Sequence, residues 1–353
     1  MPDLNLLTPG RIDGFETRNR MFMAPMTRCR ANAGAVPSEL ANEYYSQRAT
    51  AGLISTEGTA PTARGLGYAR TPSIHTPEHV AAWKKITDAV HAKGGRIFLQ
   101  LMYTGRIGHS ANRLTKEPLI APSAIHAAGQ LWTDSLGMQD NEMPRALDTA
   151  EIPVVIEEYA QATRNGIAAG FDGVELHSAS GYLPMQFLST GSNHRTDGYG
   201  GSLKNRLRFV LETLEAMIHA AGSSSRISMK ISPAMPFNDI QDDNPKETYT
   251  ALTQAVSTMG LAYLHVLQTA MPDTFKTLRP LYKGMFAAGG GFTLDSGNAM
   301  LAAGGADFIV FGKLFTSNPD LPARFAKGAP LTEPDPTTFY SAGPKGYTDF
   351  PTL

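Results

Sequence analysis

The sequence predicts an α/β protein folded as a (β/α)8 TIM barrel, with one long excursion over the barrel mouth. Eight short apolar runs alternate with longer amphipathic stretches, and this alternation is typical of parallel βα units. The runs are apolar without a polar face, as expected for strands covered by helices. A length of 353 residues suits one large barrel, so we predict a single domain over residues 1–353.

Each predicted strand is an apolar segment short enough to cross a barrel wall once. In chain order they are Met21–Ala24, Leu53–Glu57, Arg96–Leu101, Gly173–His177, Ile227–Ser232, Ala262–Gln268, Met285–Ala288 and Asp307–Phe311. The predicted helices fill the intervals: Ser38–Ala51, Pro77–Ala92, Ile152–Ala169, Ser202–Ala220, Pro245–Met259, Asp273–Tyr282 and Asp295–Ala303, with a last one near Asp320–Phe325. Glycines follow several helices, because a helix end often requires a left-handed residue.

Two segments fall outside this repeat. Residues 104–150 contain three prolines and no helical period, and so long a connection is expected to cross the barrel mouth. Residues 328–353 are proline-rich with aromatic interruptions, which indicates a tail laid against the barrel. A doubly wound open sheet is the alternative fold, but no G-x-G-x-x-G follows the first strand, so the barrel is favoured.

Composition excludes several functional classes. The 31 basic and 32 acidic residues give a formal net charge of −1, so nothing indicates nucleic acid or an anionic membrane as partner. Cys29 is the only cysteine and cannot hold an iron–sulfur cluster, which needs about four thiolates; no metal site is predicted. We expect no secretory signal, and no apolar run reaches the roughly 18–20 residues of a membrane span. We expect a cytoplasmic protein, monomeric or homodimeric.

Hydrogen-bonding or small residues stand where the predicted strands end, which is where barrel enzymes place their chemistry. They are Thr27, Gly58, Gln100, His177 with Ser180 and Tyr182, Lys230, Gln268, Gly289–Gly291 and Gly312–Lys313. Any one of them has a structural interpretation. Their coincidence at successive strand ends predicts a site.

The last two strand ends predict phosphate binding. Barrels commonly hold phosphate between the loops after strands seven and eight, through backbone N–H groups. Glycines such as Gly290, Gly291 and Gly312 allow the backbone to approach closely, and Lys313 adds charge. The alternative is a pair of tight turns with a surface lysine, and phosphate binding is favoured over it.

Buried titratable positions need separate interpretation. His177 shares one loop with Ser180 and Tyr182, so a role in the site is favoured over a core histidine. Lys230 lies inside the barrel, where an unpaired charge is costly. It is interpreted as a partner of an anion or cofactor, as a Schiff-base lysine, or as half of a core ion pair.

Two carboxylates and the cysteine are assigned structural roles. Glu57 and Glu175, on strands two and four, resemble an acid–base pair, but no spacing constrains them to meet. At least one is therefore expected at the barrel floor. Cys29 is expected to be structural.

Beyond these patterns, the chain resembles the old yellow enzyme family over nearly its whole length. The matching segments are 19–28, 174–179, 181–183, 192–197, 199–202, 205–206 and 346–351. So many ordered motifs make the resemblance specific. It implies an FMN flavoenzyme that takes electrons from NADPH or NADH. Its expected reaction is ping-pong hydride transfer to activated C=C bonds of small α,β-unsaturated carbonyl or nitro compounds.

The resemblance also implies residue roles. Cofactor-binding residues would be Pro25, Met26, Thr27, Gly58 and Gln100 along the flavin ring, Lys230 by its N1 and O2, and Gly290, Gly291, Gly312 and Lys313 at the phosphate. Catalytic residues would be His177 and Ser180, which hydrogen-bond the substrate oxygen, and Tyr182, which protonates Cα. Tyr68, Met102 and Tyr347 would border the substrate.

Five matched positions depart from the family pattern: Ser180, Met102, Tyr103, Lys230 and Lys313. Serine replaces a longer histidine or asparagine donor, and methionine replaces tryptophan, which softens the pocket. The two lysines keep the charge of arginine without its bidentate fork. Three functions stay open: a weak or specialised ene-reductase, an FMN-binding paralogue with a binding or regulatory role, and a sugar-phosphate barrel aldolase using Lys230.

Overall fold

A computed structural model describes residues 5–353, in which eight parallel strands close into a barrel. The barrel strands, numbered here in chain order, are β1 (Met21–Met23), β2 (Leu53–Ser55), β3 (Ile97–Leu101), β4 (Gly173–Ser178), β5 (Ile227–Ile231), β6 (Leu264–Leu267), β7 (Phe286–Gly289) and β8 (Phe308–Phe311). Strand β8 pairs with β1 and closes the ring. The predicted fold class is confirmed, and every predicted strand overlaps an observed one.

Helices surround this barrel. They are α1 (Glu39–Gln47), α2 (Pro77–Ala92), α3 (Ile152–Ala168), α4 (Leu183–Leu188), α5 (Leu203–Ala221), α6 (Pro245–Val256), α7 (Thr274–Leu278), α8 (Leu294–Ala302), α9 (Lys313–Ser317) and α10 (Leu321–Lys327). Helices α4 and α9 were not predicted, because they are too short for a helical period to show. Helix α7 ends before Pro280, because proline has no N–H for the next helical hydrogen bond, and a 3-10 turn follows it.

An unpredicted antiparallel hairpin lies at the N-terminal end of the barrel. It pairs Gly10–Ile12 with Phe15–Thr17. Ile12 is fully buried, and the ring of Phe15 lies 6.2 Å from that of Phe98 on β3. Three-residue strands carry too little alternation to be recognised in sequence. This hairpin therefore covers the N-terminal end of the barrel.

Residues 104–150 cross the barrel mouth, as predicted. They contain an antiparallel pair, Gln130–Thr133 with Gly137–Asp140, and a short parallel pair, Ile120–Ala121 with Arg145–Ala146. An ion pair between Arg70 and Asp134 ties this excursion to the loop after β2. The excursion thus forms one wall of the mouth.

The C-terminal tail lies against the barrel, as predicted. The guanidinium of Arg30 donates hydrogen bonds to the carbonyl oxygens of Thr338, Phe339, Gly343 and Lys345. Four carbonyls satisfied by one buried cation explain why a proline-rich segment without strands or long helices keeps a defined path. Across residues 5–353, no helix combines the length and apolarity needed to cross a membrane.

Replacing Gly52 with alanine is expected to lower the melting temperature by at least about 2 °C. Gly52 donates its N–H to Met21 O at 2.8 Å just before β2, and an added Cβ would lie 2.2 Å from Asn19 O. Backbone must move to relieve this contact, at a typical overpacking cost of about 1–3 kcal/mol. Circular dichroism melting of both proteins measures the difference. An unchanged melting temperature would contradict the close approach.

Candidate active site

A cavity of about 800 Å³ opens at the C-terminal ends of the strands. Its size falls within the roughly 300–1,000 Å³ typical of small-molecule sites. Tips of the barrel strands, the excursion and the tail all contribute to its wall. Twelve of the predicted site residues line it: Pro25, Met26, Thr27, Tyr68, Gln100, Met102, His177, Ser180, Tyr182, Lys230, Gly312 and Lys313.

The cavity wall is basic. Among the described lining residues, Arg28, Arg70, Lys230 and Lys313 carry positive charge and none is acidic. Both arginines are engaged, Arg28 with backbone carbonyls and Arg70 with Asp134. Within residues 5–353 neither lysine has an ion pair or hydrogen bond. Two cations are therefore available to a negatively charged ligand.

His177 presents a neutral imidazole to the cavity. It lies on β4 beside Lys230 of β5 in the strand register. Burial, with the neighbouring charge of Lys230, holds the pKa of His177 well below its usual range. Its Nδ1 is buried and has no partner among the described residues. A neutral ring offers one N–H donor, so His177 is able to donate to a substrate oxygen.

Two tyrosine hydroxyls meet beside this histidine. The rings of Tyr182 and His177 stand nearly perpendicular, at 81° and 4.9 Å between centroids. Tyr182 donates from its hydroxyl to Tyr68 Oη at 3.2 Å, and Asn238 Nδ2 donates to the same oxygen at 3.4 Å. Burial holds the pKa of Tyr182 well above its usual range, so both phenols keep their protons and are able to act as acids.

The hydroxyl of Ser180 is engaged within the protein. Ser180 has a left-handed backbone, with φ of 56°, held by its N–H donating to Ser232 Oγ and its carbonyl accepting from Asn238 Nδ2, both at 2.8 Å. Its Oγ donates to the thioether of Met235 at 3.6 Å. Sulfur is a weak acceptor, so this contact weakens only slightly the donation that Ser180 is predicted to make.

Gly58 and Tyr347 do not line the cavity, and their predicted roles stay predictions. Met102 covers Gly58, since a Cβ there would lie 2.5 Å from Met102 Sδ. Tyr347 is fully buried and its ring stacks on Tyr44 at 4.0 Å, with the guanidinium of Arg30 4.5 Å from its centroid. These contacts place the ring of Tyr347 beside Arg30, the residue that holds the C-terminal tail.

Gly290 and Gly291 also lie outside the lining, at the exposed tip of β7. Their φ angles of 135° and 80° favour glycine. Gly289 pairs with Val310, so this tip is next to Gly312 and Lys313 at the end of β8. Their predicted role at a phosphate stays a prediction.

Of the positions that depart from the family pattern, Met102 lines the cavity but Tyr103 does not. Tyr103 is fully buried, and its ring lies 6.1 Å from that of Tyr159 on α3. Neighbouring residues at a strand end point to opposite sides, which explains the difference. Tyr103 therefore belongs to the core.

Several cavity residues were not predicted, because they come from loops or, for Trp132, from a short strand of the excursion. They include Arg70, Trp132, Met235, Asn238 and Tyr340. No periodic pattern marks such positions. The detectable signal was the polar pair Asn238–Asp239 in the loop after β5, of which Asn238 lines the cavity.

Glu57 and Glu175, which the sequence suggested as a pair, contact different residues. Glu175 contacts His265 and Gln100 inside the barrel, whereas Glu57 Oε2 accepts the N–H of Arg28 at 3.0 Å. Burial raises the pKa of Glu57 to about 7 against these contacts. The sequence-based comparison with an acid–base pair therefore does not hold.

Glu57→Gln is expected to be more stable than wild type at high pH. An acid whose folded pKa is raised from 4.5 to about 7 destabilises the fold progressively as pH rises through that window. The gain of the variant should grow over this interval to at most about 3 kcal/mol and then level off. Urea unfolding at pH 4, 6 and 8 measures it. Glu39→Gln, at an exposed position, is the control. A difference in unfolding free energy between Glu57→Gln and wild type that did not change with pH would contradict the raised pKa of Glu57.

Comparison with known proteins identifies the family. Residues 5–332 match the family described as NADH:flavin oxidoreductase / NADH oxidase. The chain belongs to this family. A flavin oxidoreductase is consistent with a basic cavity holding a neutral histidine and two phenols, and this membership counts against the barrel aldolase.

Individual relatives resemble this flavin oxidoreductase over their full length. A probable flavin mononucleotide-dependent alkene reductase of Leishmania infantum is 41% identical over 98% of this chain and 97% of its own. Morphinone reductase superposes with a TM-score of 0.95 at 40% identity, over 99% of this chain and 97% of its own. The old yellow enzyme homologue of Zymomonas mobilis superposes with a TM-score of 0.96 at 38% identity, over 99% of this chain and 100% of its own. The predicted resemblance is confirmed, and the protein is an oxidoreductase of the old yellow enzyme type.

Proposed function

We propose that this flavin oxidoreductase binds FMN in its cavity and uses NADPH or NADH to reduce the activated C=C bond of small α,β-unsaturated carbonyl or nitro compounds. One observation carries the proposal. A neutral histidine donor, two protonated phenols and two unpaired lysines face the same cavity. This set matches a reaction that builds negative charge on an oxygen and then needs a proton.

The residues present fit FMN. Lys230 is an unpaired cation on the cavity wall, and Gln100 Oε1 accepts no hydrogen bond from residues 5–353, so a charged group and an acceptor are available to a polar ring edge. Met26 and Met102 supply apolar surface. Lys313 with the neighbouring glycine tips would hold the phosphate through charge and backbone N–H groups.

When bound, FMN would accept a hydride from the nicotinamide and deliver one to Cβ of the alkene. The developing charge then falls on the carbonyl or nitro oxygen, to which the N–H of His177 would donate. A proton from Tyr182 or Tyr68 would reach Cα, completing the addition of two electrons and two hydrogens; water in the open cavity would restore the phenol. Reductant and substrate would use the same cavity in turn, which gives ping-pong kinetics.

An absorbance spectrum of the purified protein tests cofactor binding, and NADPH oxidation with cyclohexenone tests the reaction. A flavin band with enone-dependent oxidation is the expected result. A protein that stays colourless with excess FMN would overturn the proposal. Oxidation that proceeds with oxygen alone would favour the second candidate, a catalytically weak FMN paralogue with a binding or regulatory role. The short side chain of Ser180, which stands where the family has a longer donor, supports that alternative.

A further inference from the structure

Glu175 is a buried carboxylate to which the proposed reaction gives no role. It lies on β4 two residues before His177, so both side chains face the barrel interior. Its relative exposure is 0%. Oε1 accepts from Gln100 Nε2 at 2.8 Å and from Ser55 Oγ at 3.2 Å, and Oε2 lies 3.4 Å from His265 Nδ1. One carboxylate thus connects side chains from β2, β3 and β6 beneath the cavity.

The first contact determines which way the Gln100 amide points. An ionised carboxylate only accepts hydrogen bonds, so the atom of Gln100 that faces Glu175 must be the amide nitrogen. Its Oε1 has no donor within the described residues, and Gln100 lines the cavity. Gln100 is therefore held so that it can offer an acceptor to a ligand.

The second effect of Glu175 is its charge. Lys230 pairs in register with His177 on one side and with His265 on the other, and its charge interacts favourably with Glu175. His265 Nε2 is buried without a partner among the described residues, and burial lowers the pKa of His265. A neutral ring therefore donates Nδ1–H to Glu175. Although burial opposes it, these contacts and Lys230 lower the pKa of Glu175.

We propose that Glu175 is a positioning residue for the cofactor: it orients the Gln100 amide and places a fixed negative charge beneath the polar edge of the bound flavin. This inference rests on the proposed function, because it concerns FMN in the same cavity. A buried anion close to a group that gains electrons disfavours the reduced form. Glu175 would then keep reduced FMN a strong hydride donor.

Glu175→Gln tests the charge with nearly unchanged volume. Reduced FMN should gain affinity relative to oxidised FMN by about tenfold, equivalent to a midpoint potential about 30 mV higher for a two-electron couple. The potential is measured by dye-coupled titration of the FMN complex at pH 6, where protonation of Lys230 is favoured, and the dissociation constant by fluorescence. An equal or lower potential would overturn the inference.

Asp172→Asn is the matched control. Asp172 immediately precedes β4 at the opposite end of the barrel, where it accepts hydrogen bonds from His91, Arg96 and the N–H of Ile97. This variant should lose stability but keep the wild-type potential and FMN affinity. If the control moves the potential as far as Glu175→Gln does, the effect is not local and the inference fails.

Glu175→Asp separates the effect of the negative charge from the effect of orienting the Gln100 amide. It also tests the inference if Glu175→Gln does not fold. It retains the anion but withdraws it from Gln100 by one methylene. FMN should bind several-fold more weakly in both oxidation states with an unchanged potential; unchanged affinity would overturn the positioning role. Failure of the wild-type protein to bind FMN would overturn the proposed function itself, whereas a wild-type potential in Glu175→Gln would overturn only the role of Glu175.

Discussion

Alanine in place of His177 is expected to lower enone turnover by about 10²–10³-fold, the usual effect of removing one donor to a developing oxyanion. The imidazole is neutral and has a buried nitrogen without a protein partner, so its N–H is free to serve the substrate. FMN binding should be nearly unchanged, since Lys230, Gln100 and the strand tips remain. Steady-state kinetics with cyclohexenone, together with FMN titration, measure both effects.

Ser178→Ala is the matched control for this substitution. Ser178 follows His177 on β4, is fully buried and has no partner for its hydroxyl among the described residues. Because adjacent strand residues face opposite sides, this change disturbs the strand without reaching the cavity. Wild-type turnover is expected for it. A His177→Ala enzyme that reduced cyclohexenone as fast as this control would remove the histidine from the mechanism.

Asparagine at position 180 is expected to raise enone turnover, by up to about 10²-fold if it restores a full oxyanion donor. The left-handed backbone at Ser180, with φ of 56°, is one that asparagine tolerates well. Its amide N–H reaches further than the serine hydroxyl, which donates to Met235 Sδ. The gain should appear in kcat/KM for cyclohexenone.

Ser180→Ala provides the comparison for this gain. It removes the hydroxyl and adds no donor, so turnover at or slightly below that of wild type is expected. If neither Ser180→Asn nor Ser180→His exceeds wild type, the serine does not limit catalysis. The softer wall at Met102 would then be the next position to examine for substrate choice.

Much of this site was predictable from the chain alone because barrel topology brings strand ends together. Each of Thr27, Gln100, His177, Lys230 and Gly312 lies near the end of a strand or soon after it, and a closed ring of parallel strands gathers such positions at one mouth. Sequence order and apolar runs were enough to place them. The family motifs then added Tyr68 and Met102, which also line the cavity.

Other features depended on contacts that no local pattern records. Tyr347 matches a family motif, yet its ring packs between Tyr44 and Arg30, two residues that are about 300 positions away in the sequence. Asn238 and Tyr340 reach the cavity from loops whose paths are determined by side-chain hydrogen bonds. Glu57 and Glu175, indistinguishable in sequence, meet different partners.

By itself, the sequence determined the barrel, the flavin oxidoreductase family and most of the side chains at the mouth, since apolar periodicity and ordered motifs are properties of the chain. Tertiary structure alone decided the state of those side chains: a neutral His177, an engaged Ser180 hydroxyl and a Gln100 amide oriented by Glu175. Protonation and hydrogen-bond direction depend on burial and on atoms a few ångströms away. Those atoms belong to strands that are distant in sequence and meet only in the folded barrel.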